Sequence, residues 1–238
     1  MAFLLAFLAT APAGSGEKLV LPGIGGTDHR QIVDSSSPPW SAIGRVNRRI
    51  GGFCTGSVIG PRRVLTAAHC LWNRRTDHWL PPQSLHFISG YDHGKFLADA
   101  GIASLHPAPG YDPRAPISPT NLVRDWAVLE LDRDIGRKVG ILPLASDKKI
   151  VAGEPLVHAG YSQDKAHVLT KDATCEVLPG GGGSALLRHD CNATFGDSGS
   201  PLFVSEGKAL KLLAIHVAVM RRGGKYTGLA IRLPAEIQ

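Results

Sequence analysis

A chain of 238 residues is long enough to form one large domain or two small barrels that share an interface. Charged residues make up 19% of the chain and hydrophobic residues 43%, which excludes an intrinsically disordered protein. The formal net charge is +6, but the basic residues are scattered in pairs and no basic run is interleaved with aromatic residues. We therefore expect no nucleic-acid partner.

The first 13 residues, MAFLLAFLATAPA, form an uncharged apolar segment that ends in small residues of the A-x-A kind. This pattern is typical of a signal-peptide core, and the segment is too short to span a bilayer. Because a positively charged start is missing, a buried apolar N-terminal segment is the alternative. No later apolar stretch approaches spanning length without a charge or a turn residue. We expect a secreted or periplasmic protein with no stable membrane insertion.

Residues 14–30 are Gly-rich and irregular, and they are interpreted as a propeptide or an N-terminal arm. From residue 31 onward, short apolar runs recur with Gly and Pro between them. The clearest runs are Ser41–Val46, Gly52–Ile59, Arg63–Ala68, Leu85–Ser89, Trp126–Leu131, Leu156–Ala159, Leu202–Val204 and Leu210–Val219. Several of these runs alternate, and long helical periodicity is absent, so the pattern predicts an all-β barrel or sandwich.

The chain has four cysteines, which allow three disulfide connectivities. Sequential pairing, Cys54 with Cys70 and Cys175 with Cys191, is favoured because each bond then closes a short local loop. No C-x-x-C pair indicates a zinc or redox site. The histidines outside the motifs described below have no carboxylate spacing typical of a metal site, so they are interpreted as structural or surface residues: His78, His86, His93, His106, His158, His167 and His189. We expect no metal ligands.

Three segments carry residue types that suit acyl transfer. They are VLTAAHC at 64–70, RDWAVLEL at 124–131 and FGDSGSP at 195–201. A serine hydroxyl such as that of Ser198 is a poor nucleophile unless a neutral imidazole takes its proton, which is the role predicted for His69. The imidazole must be held in one tautomer by a buried carboxylate, the role predicted for Asp125. The backbone N–H groups of Gly196 and Ser198 are predicted to form an oxyanion hole, because glycine allows the turn that points both inward.

The segments TAAHC, DWAVLEL and GDSGSP resemble those of the chymotrypsin-like serine peptidases, in that family's His, Asp, Ser chain order. The resemblance covers the chain from about residue 28 to the end. It implies two antiparallel six-stranded β-barrels with the active site in the cleft between them. The peptidase domain would then span 31–238, with a first barrel at about 31–135 and a second at about 140–238. It further implies polypeptide substrates, a monomer and no cofactor.

A bacterial branch of the family, which includes the glutamyl endopeptidases, is similar in further positions. The segment Asp28–Ile32 resembles the start of those mature enzymes, and Ser-Gly-Ser-Pro at 198–201 is also similar to that branch. In animal members of the family, a new α-amino group made by proteolysis pairs with the acid just before the nucleophile. Asp197 occupies that position, so trimming within residues 14–30 is a possible activation step.

The resemblance also indicates a specificity pocket. The residue six before the nucleophile lines the pocket base in this family; here it is Asn192, and a neutral amide cannot repay the desolvation of a buried cation. His216 stands where the glutamyl endopeptidases carry the histidine that receives a substrate carboxylate. However, Ala193 replaces a hydroxyl residue of that branch, and the branched Val219 would make the pocket shallow. Small or medium uncharged residues are therefore the favoured substrates and acidic ones the alternative, with basic residues third because Asp190 lies nearby in sequence.

The sequence thus predicts a secreted serine endopeptidase that hydrolyses peptide bonds through an acyl-enzyme. The alternative is a catalytically silent binding protein on the same fold, since a fold does not fix a function. An esterase with the same three residues is less well supported. The letters of a nucleophile elbow are only partly present at 196–200, and the strand-to-helix context of that motif is missing.

Overall fold

The computed structural model describes residues 21–147, 149–180, 185–234 and 237. The segment predicted as a signal peptide, 1–13, and the first part of the arm lie outside these residues. Within the described part of the chain, no helix is long and apolar enough to cross a membrane.

The described residues are mostly extended. The strands are β1 (Gln31–Ile32), β2 (Ile43–Arg48), β3 (Phe53–Gly60), β4 (Arg63–Thr66), β5 (Trp72–Asn73), β6 (His78–Trp79), β7 (Leu85–Ser89), β8 (Ala98–Pro107), β9 (Ala127–Leu131), β10 (Pro155–Gly160), β11 (Thr170–Glu176), β12 (Leu186–His189), β13 (Pro201–Glu206), β14 (Ala209–Arg222) and β15 (Lys225–Arg232). Short helices are α1 (Pro119–Leu122) and α2 (Gly136–Val139), with 3-10 turns at Trp40–Ala42, Ala68–Leu71, Pro82–Ser84 and Gln163–Lys165.

Six strands form a closed antiparallel barrel in the order β2-β3-β4-β9-β8-β7. Burial alternates along β7, where Leu85, Phe87 and Ser89 are buried and the residues between them are half-buried. This period of two is what a strand with one face toward a core requires. Phe87 and Leu129 are among the largest fully buried side chains of this core. The first predicted barrel is therefore present.

The second half of the chain forms a seven-stranded sheet in the order β1-β11-β10-β13-β14-β15-β12. Its two ends approach one another through a bridge between Val177 and His189 and a 2.8 Å hydrogen bond from Leu178 N–H to the Arg188 carbonyl. Six of its strands, β10 to β15, come from the range predicted for the second barrel. The seventh, β1, lies at the start of the range expected for the first barrel but pairs with β11.

The connections between these strands carry the residues predicted for catalysis. His69 follows β4 in the 3-10 turn Ala68–Leu71, and Asp125 lies two residues before β9. Both therefore belong to the first barrel. Ser198 lies in the turn that leads into β13 of the second sheet. The candidate site is assembled from both halves of the fold.

Candidate active site

The imidazole of His69 is held by Asp125 from two directions. One carboxylate oxygen accepts a hydrogen bond from the His69 backbone N–H at 2.8 Å, and the other lies 2.6 Å from Nδ1 of the ring. Asp125 is only 3% exposed. Because an ionised carboxylate can only accept, the Nδ1 atom carries the proton. The Nε2 atom is thereby left as the proton acceptor on the opposite side of the ring.

A disulfide fixes the turn that carries His69. The structure joins Cys54, on β3, to Cys70, the residue directly after the histidine, and joins Cys175 to Cys191 in the second sheet. These are the sequential pairs that the loop lengths favoured. Each closes a sequence separation of 16 residues, a length at which the loop-entropy description gives roughly 3 kcal/mol of stabilisation.

Ser198 and His69 open into one cavity of about 310 Å³, together with Gly196. Ser198 is half-buried, and its hydroxyl makes no hydrogen bond to any residue that the structure describes. The nucleophile predicted from the sequence is therefore accessible. The structure brings His69 and Asp125 together with the turn that carries Gly196 and Ser198, although these three segments lie far apart in the chain.

The turn around Ser198 presents its backbone N–H groups to the cavity. The Phe195 carbonyl accepts a 2.6 Å hydrogen bond from Gln163 N–H. Since N–H and C=O point in opposite directions across a trans peptide, the Gly196 N–H faces away from Gln163. Neither it nor the Ser198 N–H donates to any acceptor among the described residues. Two donors in one turn remain available to an oxyanion.

Thr55 on β3 anchors this turn from behind. Its N–H donates to the Ser198 carbonyl at 2.9 Å, and its Oγ1 donates to the Gly196 carbonyl at 3.0 Å. Both carbonyls are thus turned toward the first barrel. Sequence reasoning missed this role of Thr55, because a buried threonine inside a strand has no distinctive local pattern.

Gly196 has a φ of +93°, and a Cβ atom added there would lie 2.6 Å from the Tyr161 carbonyl oxygen and 2.8 Å from the Phe53 ring. Both the backbone conformation and the space therefore require glycine. Gly196, the first glycine of the GDSGSP segment, is therefore needed for the geometry of the turn.

The carboxyl group of Asp197 is buried beneath the same turn. One oxygen accepts hydrogen bonds from the Ser162 hydroxyl at 2.7 Å and from Thr194 N–H at 2.8 Å. The other oxygen is buried and has no partner among the described residues. Burial raises the pKa of Asp197 from its ordinary value near 3.8 to about 7. Pairing of this acid with a newly formed α-amino group stays a prediction.

The residues predicted for the specificity pocket are largely buried: Asn192, Ala193 and His216 are exposed by 4% or less, and Val219 is half-buried. The Asn192 side-chain oxygen accepts a 3.0 Å hydrogen bond from the His29 N–H of the N-terminal arm. The base of the predicted pocket is therefore tied to the arm.

The described part of the arm also packs against the pocket wall. At Gly23 an added Cβ would meet the Ala193 carbonyl oxygen and the Val219 side chain. Farther along, the Arg30 guanidinium donates to the carboxylates of both Asp28 and Asp164 at 2.7 to 2.9 Å. Residues 21–30 are thus part of the folded unit.

His216 contacts a second histidine, His189, for which the sequence predicts only a structural or surface role. The Nδ1 atom of His216 lies 3.1 Å from Nε2 of His189. His189 fits only because Gly228 faces it on β15, where any Cβ would lie about 2.1 Å from the ring. Burial lowers the pKa of His189 to about 3 and that of His216 well below its ordinary range, so both are neutral near pH 7.

The hydrogen atoms of this histidine pair can be assigned from its surroundings. The Nδ1 atom of His189 is buried without a partner among the described residues. An unpaired buried acceptor is more common than an unpaired buried donor, so His189 carries its proton on Nε2 and donates to His216. The proton of His216 is then on Nε2, which makes that atom a hydrogen-bond donor.

Cys54, His69 and Cys70 place ligand-type atoms within 4.8 Å of one another. Both sulfur atoms belong to the disulfide, so they are not available as the thiolates that a metal ion would need.

Comparisons with known proteins identify the family of the chain. The family model described as "Trypsin" matches residues 25–235. A glutamyl endopeptidase of Bacillus licheniformis is 23% identical over 219 residues, covering 85% of this chain and 63% of that protein. The chain therefore spans somewhat less than two thirds of that relative's length. Coagulation factor XII of Cavia porcellus is 35% identical over 82 residues, covering 34% of this chain and 12% of that protein.

Among solved structures, one described as "Structure of Glu endopeptidase in complex with MPD" superposes with a TM-score of 0.75 at 20% identity, covering 90% of this chain and 95% of that one. This likeness supports the predicted fold class. Together with the match of the family model to most of the chain, it means that the protein belongs to the trypsin family, with a chymotrypsin-like fold and a sequence similar to that of a glutamyl endopeptidase.

Proposed function

We propose that the protein is a secreted serine endopeptidase that hydrolyses polypeptides through an acyl-enzyme, with His69, Asp125 and Ser198 as its catalytic residues. The observation that carries the proposal is the orientation of His69. Its Nδ1 is committed to a buried carboxylate, and the cavity on its other side contains the Ser198 hydroxyl. Export is supported by two disulfides, which persist in oxidising compartments.

The proposed reaction begins when Ser198 Oγ attacks the carbonyl carbon of the scissile peptide while Nε2 of His69 takes the hydroxyl proton. The carbonyl oxygen becomes an oxyanion that accepts from the N–H groups of Gly196 and Ser198. Each such donor contributes on the order of 3 kcal/mol to transition-state stabilisation. The C–N bond then breaks, and His69 gives its proton to the departing amine. Water enters next, and the same proton transfers release the carboxylic acid and restore the serine.

The rival function is that of a binding protein without catalysis. The available Ser198 hydroxyl and the two unpaired N–H groups favour an enzyme. The test is a fluorophosphonate probe together with a peptide hydrolysis assay on wild type and Ser198→Ala. We expect the probe to label wild type at Ser198. We expect the variant to remain folded and to lose on the order of 10⁶-fold in kcat. A variant that keeps a tenth of the wild-type rate would show that the nucleophile is misassigned.

For the residue before the scissile bond, we propose a preference for small or medium uncharged side chains. Asn192 offers no charge to a substrate cation, and its oxygen already accepts from His29. Ala193 and Val219 present apolar surface without a hydroxyl group. Asp190 does not change this assignment, because it is exposed and accepts from the Glu176 N–H.

An acidic side chain is the second candidate, and the histidine pair favours it. If His189 holds the proton of His216 on Nε2, that atom can donate to a substrate carboxylate. The variant His216→Ala separates the two candidates. If the pocket prefers uncharged side chains, wild type cleaves best after Ala or Val, and the variant keeps that cleavage. If the pocket prefers acidic side chains, wild type cleaves best after Glu, and the variant loses that cleavage. Dominant cleavage after Arg or Lys would show that the pocket residues are wrongly assigned.

A further inference from the structure

The cavity beside Ser198 shares no lining residue with the proposed specificity pocket. Its walls include His69 and Ser198 but none of the four residues predicted for specificity. In acyl transfer, the histidine that takes the serine proton must later protonate the leaving amine. The leaving group therefore lies next to His69. We assign this cavity of about 310 Å³ to the residues that follow the scissile bond.

The cavity has aromatic walls and a basic residue at its edge. Phe53 and Phe195 line it, and Phe195 is 62% exposed. Arg48, at the end of β2, is the cation among the lining residues. No aspartate or glutamate is among the described residues that line it. A further positive charge lies close by, because the guanidinium of Arg45 is 4.0 Å from the centre of the Phe53 ring.

Arg48 is half-buried, and the part of the chain that the structure describes offers no partner to its guanidinium. Its Nε atom is buried without a hydrogen-bond acceptor, and the described residues include no carboxylate within ion-pair distance of its guanidinium. Arg30 shows the usual arrangement for a buried guanidinium, since two aspartates surround it. Burial without a counter-ion lowers the pKa of Arg48 from its ordinary value, and it makes an anionic ligand favourable.

The position of Arg48 is set by the turn between β2 and β3. Its carbonyl accepts from Gly51 N–H at 2.9 Å, and its N–H donates to the Gly52 carbonyl at 3.2 Å. A Cβ atom added at Gly52 would lie 2.7 Å from Nη2 of Arg48. The guanidinium therefore lies directly against the turn at Gly52.

We propose that Arg48 is a specificity-determining residue that binds a carboxylate on the leaving-group side of the substrate, within two residues of the scissile bond. This rests on the proposed peptidase function. A guanidinium presents paired donors that match a carboxylate, and the aromatic walls strengthen the attraction by excluding water. The carboxylate has two possible sources, an Asp or Glu side chain and the free C-terminus of a short leaving peptide.

The test uses internally quenched peptides that share one acyl part and carry either Asp or Asn at the first or second position after the cleavage site. A second series ends after two leaving residues as the free acid or as the amide. Wild type is compared with Arg48→Gln and with the matched control Arg49→Gln, which removes an exposed charge next in sequence. We expect kcat/KM in wild type to be about 10-fold higher for the carboxylate member of at least one series. That ratio should fall to near one in Arg48→Gln and persist in Arg49→Gln.

The series that gives the ratio identifies the source of the carboxylate. A wild-type ratio near one in both series would overturn the assignment of Arg48, and so would a ratio that survives in Arg48→Gln. Failure of wild type to cleave any peptide of either series would instead contradict the proposed peptidase function, so the two hypotheses fail separately.

Discussion

Replacing Gly196 by alanine tests whether the turn around Ser198 supplies the oxyanion hole. The added methyl group would lie 2.6 Å from the Tyr161 carbonyl oxygen and 3.0 Å from Gln163 N. Ordinary contacts of a Cβ atom begin at 3.4 Å. Because both neighbours are backbone atoms, the turn itself must move by several tenths of an ångström. That shift also disturbs the 2.6 Å bond between Gln163 N–H and the Phe195 carbonyl, which orients the Gly196 N–H.

The expected cost is the loss of one oxyanion donor. Such donors act over 2.7–3.1 Å, and removing one costs about 3 to 4 kcal/mol, or on the order of 10² to 10³ in kcat. The side chains of His69 and Ser198 stay in place, so binding of the acyl part and reactivity toward a small fluorophosphonate should fall less than kcat does. KM should change little.

The control variant is Gly153→Ala. Gly153 has a similar φ of +82°, but an added Cβ there would meet nothing within 4 Å. Both variants therefore carry the strain of an alanine in a left-handed backbone conformation, about 1 to 2 kcal/mol. Only Gly196→Ala also moves the turn. We would measure kcat and KM on one peptide together with thermal unfolding. If Gly196→Ala kept a kcat within threefold of Gly153→Ala, the oxyanion assignment would be wrong.

Two further predictions concern acids beneath the site. Asp125→Asn should leave the fold intact and lower kcat on the order of 10⁴-fold, because the amide favours the wrong histidine tautomer. A pH–rate profile in which the maximal kcat of the variant equals that of wild type would contradict this. Asp197 has a pKa of about 7 in the folded protein against an ordinary 3.8, so between about pH 4 and 7 the folded state holds a proton that the unfolded chain releases. The Asp197 carboxyl therefore lowers the free energy of unfolding as pH rises through that window, by on the order of 4 kcal/mol in total. The free energy of unfolding, measured in urea at pH 5 and at pH 7.5, should differ less between the two pH values in Asp197→Asn than in wild type. An equal difference in both proteins would show that another group is responsible.

Much of the geometry of the candidate site could be predicted because its determinants are local in sequence. The segment around His69 combines a strand end with a disulfide partner, and the segment around Ser198 combines a nucleophile with glycines at positive φ. Each motif carries both a residue type and the backbone conformation that the residue needs. The recurring apolar runs likewise predicted five of the six strands of the first barrel, but not β8 (Ala98–Pro107).

The support behind the motifs could not be predicted in this way. Thr55 clamps the oxyanion turn across more than 140 residues of sequence, and it does so because β3 of one barrel faces the turn of the other half. Gln163 orients the Gly196 peptide through its backbone N–H, a group that every residue except proline carries. A contact made by backbone atoms leaves no signature in the identity of the residue that makes it.

The arrangement of the residues proposed for specificity could not be predicted either, because it depends on how side chains from different strands meet. His189 and His216 are on β12 and β14, and they meet across β15 because of the register of three strands. A shift of that register by one residue would turn either imidazole to the opposite face of the sheet. Gly228 completes the arrangement by leaving room for the His189 ring. Taken singly, a histidine and a glycine in neighbouring strands indicate nothing. Only their shared register places Nε2 of His189 3.1 Å from Nδ1 of His216, and for this reason the proposed choice between uncharged and acidic substrates depends on geometry that the three sequence motifs do not encode.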